Sequence, residues 1–196
     1  MTIFMTSDTH FSHRNIIHLG EGRPFSSIEE HDEALVENWN SKVRPDDTVI
    51  HLGDVAFGHR EETLKTIDRL NGYKILIPGN HDNISSLYPK KIDRWMPIYL
   101  SHFDQIWAES SPASFGGQFV MLSHYPPAEI PDHGEEDRYP HLRPELDSAF
   151  PMYIHGHTHQ QHTVTELSNG AIAYNVGVDS NGFAPVPVDE IMELLT

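Results

Sequence analysis

Lys74-Ile75-Leu76-Ile77-Pro78-Gly79-Asn80-His81-Asp82 runs an apolar segment through a Pro-Gly turn into an amide, an imidazole and a carboxylate. A short apolar run bounded by Gly and Pro reads as a buried strand, so the polar residues fall just past its end. Four more stretches repeat the pattern: Ile3 to His10 ending in Asp8-Thr9-His10, Thr48 to Asp54 ending in Gly53-Asp54, Phe119 to His124, and Met152 to His159 ending in Gly156-His157-Thr158-His159. Strand ends are where open α/β sheets place their ligand sites. The strands therefore predict both a framework and a place where Asp8, His10, Asp54, Asn80, His124, His157 and His159 converge. Oxygen and imidazole donors of this kind suit hard or borderline divalent metals.

The segments between the strands carry helical patterns. Ser26 or Ser27 with Glu29 or Glu30 makes a capping-box signature, and Ile28, Leu35, Trp39 and Val43 follow at helical spacing until Pro45. A second helix is predicted from about Glu61 to Leu70, with Asn71-Gly72 as its stop, and a third from just after Asp82 towards Asp93. Strand and helix alternate in the first half, which argues α/β. The second half is richer in strands, predicted at Ile98 to Leu100, Gln105 to Trp107, Phe119 to Ser123, Met152 to His155, Thr163 to Leu167 and Ala171 to Asn175. Ser168-Asn169-Gly170 is a hairpin signal. Two packed sheets with helices outside fit this distribution. From Tyr125 to Pro151 a Pro-, acid- and His-rich excursion is either a cover for the ligand edge or a solvated connection.

Composition narrows the chemistry. The 196 residues suit one domain, 1–196, with a sizeable core. No apolar run reaches the roughly 18 residues of a membrane span, and no secretory signal is evident, so a cytoplasmic location and no membrane partner are expected. The lack of cysteine removes disulfides, thiolate ligands and a cysteine nucleophile. A formal charge of −16 opposes stable binding of duplex nucleic acid. It admits a small anionic substrate, and two divalent cations would bring it to about −12. Among fifteen histidines, His18, His31, His59, His102, His133, His141 and His162 lie in polar or helical contexts and read as surface residues. His51 and His155 lie inside strands and read as core residues or supports for the site.

Two carboxylates, one amide and four imidazoles exceed the four donors of one tetrahedral site. They suit two metals sharing a carboxylate, an arrangement that clamps a phosphoryl group. In order, the five motifs resemble the signature of the calcineurin-like metallophosphoesterases, a likeness running from about residue 2 to Asn175-Val176-Gly177. The resemblance implies a two-sheet sandwich flanked by helices, in four α/β/β/α layers. It implies that Asp8, His10 and His159 hold one ion, that Asn80, His124 and His157 hold the other, and that Asp54 bridges them. The ions would be manganese, with iron or zinc as alternatives. It also implies that a hydroxide between them attacks phosphorus in line, that His81 assists the leaving oxygen, and that Asp82 orients His81. His13 or Arg14 follows closely enough to reach a substrate phosphate, unless a short helix from near Ser12 presents both to solvent.

The resemblance implies a small phosphodiester substrate, a cyclic nucleotide or another small diester. A phosphomonoesterase, a short-oligonucleotide nuclease and a non-catalytic metal-binding module are the alternatives. Oligomeric state stays open. One position departs from the family: many members carry an acidic residue three places after the bridging aspartate, where this chain has Phe57.

Overall fold

A computed structural model describes residues 1–19, 22–132 and 137–196. Its first sheet holds β1 (Ile3–Thr6), β2 (Thr48–His51), β3 (Tyr73–Leu76) and β4 (Gln105–Ile106), all parallel, with β10 (Val186–Pro187) antiparallel beside β1. Its second sheet runs in the order β5 (Ser110–Phe115), β6 (Gln118–Ser123), β7 (Met152–His155), β9 (Ile172–Asn175), β8 (Val164–Glu166), with β6, β7 and β9 parallel. The expected α/β architecture of two sheets flanked by helices is present.

Strand alternation explains how the layers adhere. Met5, Ile50 and Ile75 face β6 and β7 residues Val120, Leu122, Met152 and Ile154 in one buried cluster between the sheets. Phe4, Val49 and Leu76 turn the other way, into a cluster with Leu35, Val36 and Trp39 of α1 (Ile28–Lys42) and Tyr99 of α3 (Pro89–Leu100). The excursion after β6 packs Ile130 against Tyr153, outside the second sheet. Its fixed point is Arg143, whose guanidinium donates to the carbonyls of Pro126, Pro127 and Ile130 and pairs with Asp137.

The capping signature resolves onto both serines. The Ser27 hydroxyl accepts from Glu30 N, and the Glu30 carboxylate reaches back to Ser26 N. The second predicted helix is one turn of α-helix, α2 (Arg60–Thr63), continued by 3-10 turns over Leu64–Arg69.

Two expectations need correction. The third helix starts at Pro89, not after Asp82, because proline is favoured in the first turn and Asp82 to Tyr88 is occupied by turns. The strand predicted at Ile98 to Leu100 is the last turn of that helix, where Trp95, Ile98 and Tyr99 share a face at helical spacing. β5 was not predicted. It is an edge strand with alternating exposure and few apolar residues, joined to β6 by Gly116-Gly117, both at positive φ. No helix among the described residues is long and apolar enough to cross a membrane.

Candidate metal centre

The ends of β1, β2, β3, β6 and β7 bring the predicted donors together. Asp8 Oδ1 lies 3.8 Å from both His10 Nε2 and His159 Nε2. Asp54 Oδ2 lies 3.6 Å from His10 Nε2 and 3.6 Å from His124 Nε2. His124 Nε2 is 3.0 Å from Asn80 Oδ1 and 3.1 Å from His157 Nδ1. Asp8, His10 and His159 thus form one donor group and Asp8, Asp54 and His124 another. Asp54 faces both the His10 side and the His124 side.

The backbone bends sharply to do this. Asp8, His10, Asp54, His157 and His159 all have positive φ, between 50° and 70°. Non-glycine residues rarely adopt that conformation, and clusters of it mark functional sites. Close approach is the second device. A Cβ at Gly156 would stand 2.1 Å from Ser7 Oγ and 2.4 Å from Asp8 Oδ2, and one at Gly79 would stand 2.3 Å from Asp54 Oδ1. Only glycine lets these loops reach the carboxylates.

Each imidazole commits one nitrogen to the scaffold. His124 Nδ1 donates to Leu52 O at 2.7 Å, His157 Nε2 to Asp132 Oδ1 at 2.8 Å, and His159 Nδ1 to Asp179 Oδ2 at 2.8 Å. Carbonyl and carboxylate oxygens can only accept, so these contacts fix the tautomers and turn the other nitrogen inward as a lone pair. His10 Nδ1 lies 3.3 Å from His13 Nδ1.

These residues fit divalent cations. Among the described residues Asp8 Oδ1 and His10 Nε2 are buried without a hydrogen-bond partner, an arrangement costly for polar atoms unless something else satisfies them. Donors that each sit about 2.1 Å from a shared ion lie about 3–4 Å apart, as these do. Burial, only partly offset by His124, pushes the Asp54 carboxyl up to about 7, so its charged form calls for added positive charge. Burial also holds His10 well below the usual imidazole range, neutral and able to ligate.

The sequence matches the family model of the calcineurin-like phosphoesterase superfamily domain over residues 1–181. The chain belongs to the calcineurin-like phosphoesterase superfamily. Its relatives include an uncharacterized protein of Methanocaldococcus jannaschii, 28% identical with 98% of this chain and 90% of that one covered. The Gene 66 protein of Mycobacterium phage L5 is 31% identical, covering 98% and 93%. A crystal structure of a protein of unknown function from Aquifex aeolicus superposes with a TM-score of 0.72 at 28% identity, covering 98% of both chains.

Within this superfamily member the outer contacts differ from expectation. Asp82 spends its hydrogen bonds on groups other than His81. Its buried carboxylate accepts from Asp54 N and Gly79 N at 2.8 Å, from Val55 N at 3.2 Å and from the Tyr99 hydroxyl at 3.2 Å. It organises the loops that carry Asp54 and Asn80. His81 Nε2 instead faces Asp54 Oδ2 at 3.9 Å, and His81 N donates to Asp54 Oδ1 at 2.8 Å. Burial, with the neighbouring charge of His124, lowers His81 to about 4.

Arg14 is exposed and does not line the adjoining cavity, whereas His13 and His81 do. Phe57, at the departing position, stacks on His13 at 3.9 Å and packs against His10 and His81 at 5.0 and 4.7 Å. It supports these rings by contact in place of hydrogen bonds.

Other partners have no sequence motif. Arg23 is buried and donates to Asp8 O and Thr9 O while pairing with both oxygens of Asp179. His31, expected at the surface, is fully buried between Asp32 and Arg23. His133 lies outside the described residues. His51 and His155 are buried in β2 and β7, and His51 bonds Thr9 Oγ1 and Gly53 N.

Proposed function

We propose that this protein is a two-metal phosphoesterase acting on small phosphodiesters, in the cytoplasm, with manganese as the favoured ion and iron or zinc as alternatives. The observation that carries this reading is the shared position of Asp54 Oδ2, 3.6 Å from an inward nitrogen on each side. Asp8, His10 and His159 would hold one cation, Asn80, His124 and His157 the other, and Asp54 both. Such a pair supplies the positive charge that lets an anionic phosphoryl group accept a nucleophile drawn from water.

The chain's own residues do the rest. Asp179, Asp132 and Leu52 O keep the three imidazoles in ligating tautomers. His81, partly exposed beside the centre, donates a hydrogen bond to the departing oxygen. His13 presents its outer nitrogen to the phosphoryl group while its inner one meets His10. The sequence keeps all seven candidate donors and His81, which weighs against a module that has lost its chemistry, and the charge of −16 weighs against long polynucleotides.

Elemental analysis and turnover test the reading together. Protein loaded with manganese should carry two ions per chain and cleave a chromogenic diester faster than the matching monoester. His81→Ala should keep both ions and lose about 10²–10⁴ in turnover. Full loading without cleavage of any phosphoester would overturn it.

A further inference from the structure

A chain of hydrogen bonds leaves the centre at His159 and ends near the start of α1. His159 Nδ1 donates to Asp179 Oδ2, and both Asp179 oxygens hold Arg23. Arg23 Nη1 then meets His31 Nε2 at 2.7 Å, and His31 Nδ1 meets Asp32 Oδ1 at 2.8 Å. Arg23 and His31 are buried. Aromatic rings roof them: Phe25 meets His31 edge-to-face at 5.3 Å, and the Phe183 ring lies 6.0 Å from the guanidinium carbon. Hydrogen bonds shielded from water in this way are strong when complete and costly when one is missing.

The guanidinium fixes the direction of each bond. It can only donate, so His31 Nε2 accepts, and His31 Nδ1 carries the hydrogen given to Asp32. A guanidinium has five N–H groups. Here they meet both oxygens of Asp179, the carbonyls of Asp8 and Thr9, and His31 Nε2. His31 therefore takes the one N–H that the loop and Asp179 leave over. Without it, a buried donor is stranded on the group that grips the loop.

That loop needs the grip. Asp8, His10 and Ser12 have φ of 59°, 50° and 59°, a left-handed conformation that persists only where surrounding structure enforces it. Arg23 holds the loop at Asp8 O and Thr9 O, and Asp32 Oδ2 accepts from Ser12 N at 2.9 Å. The other half of the centre has different supports. His124 leans on Leu52 O, His157 on Asp132, and the Asn80 loop on Asp82.

We propose that His31, with Asp32 behind it, is a positioning residue for the cation of Asp8, His10 and His159, so that α1 governs the affinity of one half of the centre and not the other. The proposal rests on the two-metal reading for the presence of that ion, and on the hydrogen-bond chain for its dependence on His31.

Manganese titration of the metal-free protein, followed by calorimetry, tests it without turnover. The parent should take up two ions. His31→Leu, which fills the space but accepts nothing, should weaken one ion about tenfold or more, the scale for losing a support behind a ligand. The other ion should keep its affinity. His31→Gln, whose amide oxygen can accept from Arg23, should recover most of the loss. Anomalous scattering from His31→Leu crystals at limiting manganese should show the ion beside His124 occupied and the ion beside His10 depleted. Asp32→Ala reaches the same chain from its outer end and should weaken the same ion, which decides the matter if His31→Leu does not fold. Equal weakening of both ions, no weakening, or no recovery in His31→Gln would overturn the proposal, since a residue that merely fills the core behaves in those ways. A parent that binds both ions yet cleaves no phosphoester would overturn the phosphoesterase reading and leave the role of His31 standing. A parent that takes up fewer than two ions would overturn both.

Discussion

Asp179 Oδ2 accepts a 2.8 Å hydrogen bond from His159 Nδ1, and the far nitrogen of that ring faces Asp8 Oδ1 at 3.8 Å. Both Asp179 oxygens also hold buried Arg23, whose guanidinium grips the carbonyls of Asp8 and Thr9. One carboxylate therefore fixes the tautomer of one candidate ligand and anchors the loop that bears two more. Asp179→Asn should weaken metal affinity about 10–100-fold, the usual effect of losing such a partner, as read by competition with a coloured chelator. The metal-free protein should also melt earlier, because Arg23 loses its countercharge. Unchanged affinity would show that His159 is oriented by something else.

Asp82 and His81 are neighbours in sequence with separate tasks, and two substitutions should tell them apart. Asp82→Ala leaves the buried N–H groups of Asp54, Gly79 and Val55 without their acceptor, a loss of about 3 kcal/mol or more. Its melting temperature and metal content should fall together. His81→Ala removes a partly exposed ring, so calorimetric stability should stay near that of the parent while turnover collapses. A stable, metal-replete Asp82→Ala protein with only a shifted pH profile would restore the role first expected for Asp82.

What the chain discloses depends on how local each cause is. β1, β2, β3, β6 and β7 are legible because an apolar run and its candidate ligand lie within a few residues, and α1 because Ser27 and Glu30 are three apart. β5 owes its existence to pairing with β6 and carries no apolar run of its own. Arg23 and Asp179 are 156 residues apart, so nothing near either one signals the other. His31 sits in an acidic stretch that looks solvated. Its burial follows from bridging Asp32 to Arg23, a relationship visible only once the fold is made. Asp132, which pairs with His157, decides how the excursion after β6 should be read: part of it reaches the centre.

Gly156 and Gly79 give a sharper test of the close approach than any donor substitution, since neither contributes a ligand. A methyl group at Gly156 collides with Ser7 Oγ and Asp8 Oδ2, and it also stands 2.6 Å from Ser7 Cβ, which no side-chain rotation moves. Overpacking of this kind costs about 1–3 kcal/mol. Gly156→Ala should therefore lower the melting temperature and displace Asp8, with metal content dropping below that of a surface variant such as Glu37→Ala. A crystal structure of Gly156→Ala with Asp8 undisturbed would contradict the packing argument.

Acid should destabilise the metal-free protein through its buried histidines, His51 most clearly. The ring accepts from Gly53 N at 3.1 Å and meets Thr9 Oγ1 at 3.0 Å, and burial lowers it to about 3. His155, buried likewise, is lowered to about 4. In the unfolded chain both titrate near the ordinary imidazole value of about 6.5. The unfolded state thus gains protons first as pH falls. The stabilisation is complete above about 6.5, shrinks as pH drops below it, and is gone once pH passes the folded values. Between about pH 7 and pH 4.5 the loss from His51 is on the order of 2 kcal/mol, or about 5 °C for a domain of this size. His51→Asn keeps an oxygen where Nδ1 accepts from Gly53 N but cannot titrate. Its melting temperature should start lower at neutral pH and fall less steeply on acidification than the parent's. Parallel slopes for the two proteins would show that His51 is not the group through which acid acts.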